Sequence, residues 1–178
     1  MWFDAPDSPQ RHVALQILEA HGTVADVPRV RNALIPSLRR DTACWNLGIG
    51  TNECYMQCSM LEILARFPEA GPYPEVETVF REAGYSRTRI YAAEVLAASD
   101  GQGFARGRAV ECSWDCEERV RVIGCDSVDL EMPDIRARLH AIASDPYEDE
   151  DVSSAARERL ADVQPPIKHD NQAASEID

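Results

Sequence analysis

Apolar residues recur at three-to-four spacing along most of the chain, the period of an amphipathic helix. The clearest stretch is Ser86 to Ser99. Ser86 suits an N-cap, and Ile90, Ala93, Leu96 and Ala97 fall on one side. Ala92, Ala93, Ala97 and Ala98 favour helix and leave little side chain between this helix and its neighbours. A central helix, packed closely on at least two sides, is expected here. Its outline recurs at steps of 32 residues: Met56, Met60, Leu64; Thr88, Ala92, Leu96; Val120, Gly124, Val128; Val152, Ala156, Leu160. Each trio makes one helical face, and the middle residue is small in all but the first. Thr88 is polar where the other copies are apolar. A helical period of this length marks a stacked repeat.

Local signals place the remaining helices. Ser8 and Pro9 start one that runs to about Ala20, with Val13, Ala14, Ile17 and Leu18 inward and Gly22 ending it. A second spans roughly 24–39, with Val27, Val30, Leu34 and Leu38 on one face. Pro28 fits its first turn, and Pro36 is expected to kink or shorten it. Residues 41–51 read as a loop insertion, from two glycines and a Thr-Asn pair. Glu53 to Phe67 is a long helix stopped by Pro68, and Pro74 opens a shorter one ending at Gly84. Residues 100–113 carry Gly101, Gly103 and Gly107 and are the weakest helical stretch. Asp115 with Glu118 reads as a capping box. Pro133 starts another helix, and a last one runs from Asp145-Pro146 to about Val163. The expected layout is one domain over 1–163, followed by a flexible tail over 164–178 without a hydrophobic face.

A chain of 178 residues can bury enough surface to fold without a staple. Its 31 acidic against 18 basic residues give a formal charge of −13. Such a surface disfavours nucleic acid and anionic membranes and would speed an encounter with a basic protein. The start of the chain has no basic n-region followed by an apolar run, and no stretch approaches the length of a membrane span. A cytoplasmic location with reduced thiols is the expectation.

The segment DPYEDEDVSSAARERL at 145–160 resembles the aspartate-proline turn of HEAT-like repeats, followed by a valine, alanines and a leucine at helical spacing. ERVRV at 118–122 is similar to their valine-arginine step. The resemblance covers 8–163 and implies an all-α fold, a right-handed superhelical stack of antiparallel helix pairs. It also implies protein binding rather than chemistry. Small acidic chains of this build resemble immunity proteins, which neutralise a toxin by covering its active site.

Signs of catalysis are sparse. His12, His21, His140 and His169 are scattered, and no His-Glu dipeptide of the metal-binding HEAT-like enzymes occurs. GIGTNEC at 48–54 lacks the lysine of a phosphate loop. Cys54 with Cys58 and Cys112 with Cys116 are weak candidates for a four-thiolate metal site; small core residues at helical spacing look the same. No cofactor is expected. The partner-binding candidates are Trp45, Tyr85 and Trp114, aromatics at an insertion or a helix start, and the run Glu148, Asp149, Glu150 and Asp151. Core packing of the aromatics, and the preference of carboxylates for a helix N-terminus, are the competing explanations. The other classes open to this sequence are a metal- or cofactor-binding enzyme and a structural subunit of a larger assembly.

Overall fold

The computed structural model describes residues 10–46 and 52–162, without the side chains of 42–46. Every regular element among them is helical: α1 (Gln10–His21), α2 (Val27–Asn46), α3 (Glu53–Ala65), α4 (Pro74–Glu82), α5 (Ser86–Ser99), α6 (Gly101–Arg106), α7 (Arg108–Cys112), α8 (Glu118–Ser127), α9 (Ile135–Ser144) and α10 (Glu150–Ala161). Helices pack in sequential pairs, α2 on α3, α4 on α5, α7 on α8 and α9 on α10. The second members also touch in order: α3 lies against α5, α5 against α8, and α8 against α10. The four trios 32 residues apart fall on these four helices. Met60, Leu64, Thr88, Ala92, Leu96, Val120, Val128, Val152 and Ala156 are all buried. The period in the sequence is therefore the period of one row of packed helices.

The polar member of the set has partners. The Thr88 hydroxyl donates to the Cys54 carbonyl at 3.4 Å and lies 3.6 Å from Cys58 Sγ. A buried hydroxyl bonded in this way bridges α5 to α3 instead of costing its desolvation.

The small middle residues set how closely helices approach. At Gly124 an added Cβ would lie 2.6 Å from Ser113 N, 2.8 Å from Ala109 O and 2.9 Å from Cys112 C. These are backbone atoms of the end of α7, so the α7–α8 pair closes backbone against backbone.

Three contacts of distant sequence origin tie the rows. Glu53, at the start of α3 and only 7% exposed, accepts from Arg11 of α1 and from Arg40 and Ser37 of α2. Arg89, in the first turn of α5, pairs with Asp115 of the α7–α8 connection. Arg121 stands 32 residues later in α8 and donates to Glu148 of the α9–α10 connection at 2.7 Å. The same position in α3 is Gln57, fully buried, whose amide has no hydrogen-bond partner among the described residues. In α10 it is Ser153, which donates to the Ile142 carbonyl at 3.5 Å.

Several local expectations are corrected. α2 runs on past Pro36 to Asn46, so residues 41–46 of the expected loop are helical, while 47–51 lie outside the described residues. An interior proline costs about 3 kcal/mol. The flanking Leu34, Ser37 and Leu38 are buried, and α2 packs on both α3 and α4, which outweighs that cost. The weak stretch 100–113 holds two short helices broken at Gly107. Ser86 is the first residue of α5, not its N-cap, which is Tyr85. Asp115 does not cap α8; that helix starts at Glu118, and the Asp115 carboxylate instead accepts from the Glu117 N–H at 2.9 Å and pairs with Arg89. The residues expected to form a tail lie outside the described residues, and no described helix is long and apolar enough to cross a membrane.

Candidate functional site

The starts of α3, α5, α8 and α10 are linked to one another in that order. Tyr55, in the first turn of α3, meets Tyr85 edge to face, ring centroids 6.0 Å apart. Arg89 and Arg121 make the next two links, to Asp115 and Glu148. Where α8 and α10 pack, the carboxylates of Glu118, Asp149 and Asp151 meet at their starts, with oxygens all within 4.8 Å of one another.

Most of the sequence candidates that can be placed lie along this line. Tyr85 is half-buried beside Tyr55, which is 55% exposed. Trp114 is 66% exposed, with the guanidinium of Arg138 3.6 Å over its ring. Arg138 also donates to the Ser113 carbonyl at 2.7 Å. The indole is thus pinned on one face and open on the other, the condition of a rigid anchor. The side chain of Trp45 lies outside the described residues.

The acidic run divides. Glu148 is turned inward to Arg121, and its side chain is only 13% exposed. Asp149 is the N-cap of α10, accepting from the Asp151 N–H at 3.1 Å. Glu150 and Asp151 stand in the first turn, where the helix dipole favours carboxylates. Asp149 and Asp151 then crowd Glu118 from α8. Repulsion, chiefly from Asp149, raises the Glu118 pKa above its ordinary value. Three residues of this edge, Tyr55, Glu118 and Tyr147, were not among the partner-binding candidates of the sequence. Glu118 sits 32 residues before Glu150, in matching register at a helix start. Tyr147 is 95% exposed, and its one signal was an aromatic among acids in a connection.

The cysteine candidates do not gather. Among the described residues the one group of three or more ligand-type side chains at metal-binding spacing is the carboxylate trio. Cys54 is half-buried and Cys58 buried in α3, Cys112 is buried in α7, and Cys116 is exposed beside Asp115. Burial raises the Cys54 and Cys58 thiols and pushes Cys112 up to about 12. These thiols fill helix interfaces, as the Cys58 contact with Thr88 illustrates. No protein-family model, curated protein or solved structure matches this chain.

Proposed function

We propose that this chain is a protein-binding module, a right-handed HEAT-like stack whose line of helix starts at α3, α5, α8 and α10 receives a basic protein. A toxin-neutralising immunity protein is the specific form of that reading. The observation that carries it is the convergence of exposed aromatics and carboxylates on one row of helix starts. Tyr55, Trp114 and Tyr147 expose rings along the row of helix starts that carries Glu118, Asp149 and Asp151 at its far end, on a chain of net charge −13. Aromatic anchors supply buried area, and the crowded carboxylates supply both attraction and steering for a cationic partner.

The test is affinity capture of partners from the source cells at low and moderate salt, with wild-type protein and with Trp114→Ala and Asp149→Asn/Asp151→Asn variants. A stoichiometric basic partner that the wild type retains and both variants lose is the expected result. A partner held equally by all three, or a partnerless monomer at both salts, refutes the reading.

A further inference from the structure

The stretch whose glycines looked weakest in the sequence borders the cleft where α4, α5, α6 and α7 meet. This cleft, of about 400 Å³, lies at the end of α5 opposite its Tyr85 connection. Leu96 and Phe104, 8% and 3% exposed, supply its apolar surface. Gly103 and Gly107, one helical turn apart, keep it open. A Cβ at Gly103 would collide with the Asp100 carboxylate, and one at Gly107 would meet only the Gly103 carbonyl, at 3.3 Å.

The charges around the cleft are unequal in availability. Arg108 is engaged on all three of its nitrogens: Nε and one amino group face Glu77, and the other amino group faces Glu111. Glu77 is shared with Arg81 at 3.5 Å. Asp100 has no cationic partner among the described residues; its carboxylate accepts only the Gly103 N–H, at 3.3 Å. It stands between the C-terminus of the fourteen-residue α5 and the six-residue α6, which it caps. An anion entering here would have to compete with Glu77 and Glu111 for Arg108 and would face the Asp100 carboxylate. A cation would find a free carboxylate beside an apolar wall.

We propose that this cleft binds the ammonium end of a small aliphatic amine, its head on Asp100 and its alkyl stem against Leu96 and Phe104. The proposal is independent of the partner-binding reading, because it uses none of that edge's residues.

The test is an NMR titration of the full chain with n-butylamine, methylamine and glutarate, reading the Gly103 and Gly107 amides. Butylamine should shift these two amides with a dissociation constant of about 1–10 mM, as expected for so few atoms. Methylamine, lacking the stem, should bind about tenfold more weakly, and glutarate should leave both amides unmoved. Asp100→Asn keeps a good helix cap while removing the charge, so it should fold unchanged and weaken butylamine about tenfold. Cation condensation on an acidic surface would instead give shifts spread over the protein, equal for both amines and unchanged by Asp100→Asn. That pattern, or no shift at either glycine, overturns the proposal.

Discussion

Replacing Gly124 by alanine sets two well-understood effects against each other. In a free helix the change stabilises by about 1 kcal/mol, because glycine is the poorer helix former. In this protein the new methyl would sit 2.6 Å from Ser113 N and 2.8 Å from Ala109 O. Those two atoms are themselves hydrogen-bonded at 3.0 Å, closing the last turn of α7. No side chain can rotate away, so α7 must lose that bond or move off α8. Overpacking of this kind costs about 1–3 kcal/mol, and losing the turn's hydrogen bond adds about 1 kcal/mol. The net expectation is a destabilisation of about 1–3 kcal/mol, read as a lower urea midpoint at unchanged m-value. Gly84→Ala is the matched control: a Cβ there meets nothing within 4 Å. It should be neutral or stabilising by up to about 1 kcal/mol, through the unfolded chain. If Gly124→Ala is as stable as wild type, the backbone contact between α7 and α8 is wrong.

Other consequences are equally open to measurement. Glu53→Gln leaves the buried Arg11 and its neighbour Arg40 without their carboxylate, and should cost about 3–5 kcal/mol in chemical denaturation. Glu118→Gln relieves repulsion with Asp149 and Asp151. Because the folded pKa of Glu118 is raised, that repulsion is present at neutral pH and fades as pH falls through this pKa. The variant should therefore melt higher than wild type at pH 7, and the gap should close on acidification toward the range where Glu118 takes up its proton. Peptide-mapped alkylation of the native protein should modify Cys116 first, with Cys112 and Cys125, pushed up to about 12 and about 11, reacting only on unfolding.

What could be read in the sequence was whatever local spacing controls. The limits of α5 follow from its alanine-rich periodicity, and the 32-residue step located the four helices of one row because each must bury the same face. Long-range polar choices were not legible. Asp115 looks like a helix cap from its neighbours alone, but Arg89, 26 residues away in sequence, claims its carboxylate. Glu53 reads as an ordinary first-turn acid until α1 and α2 fold Arg11 and Arg40 around it. Pro36 failed as a breaker because packing on two helices exceeds its local cost. At the partner edge, the aromatics and acids could be picked by type. Their division into inward Glu148 and outward Asp149 and Asp151 depends on where Arg121 reaches.

The unpartnered Gln57 sets one joint of the row apart from the others. Each joint between neighbouring helix pairs is held by its own set of contacts. The α5–α8 and α8–α10 joints each carry an arginine clasp, whereas at the α3–α5 joint the arginine is replaced by an amide that satisfies nothing. The buried ring around Glu53 meanwhile binds α1, α2 and α3 into one block. The α3–α5 joint is held instead by the Thr88 hydroxyl on the Cys54 carbonyl and by the edge-to-face rings of Tyr55 and Tyr85, and Arg31 of α2 reaches Glu75 of α4 beside it. Added salt should therefore loosen the α5–α8 and α8–α10 clasps more than the α3–α5 joint, which carries no arginine clasp and is held by packing and neutral contacts.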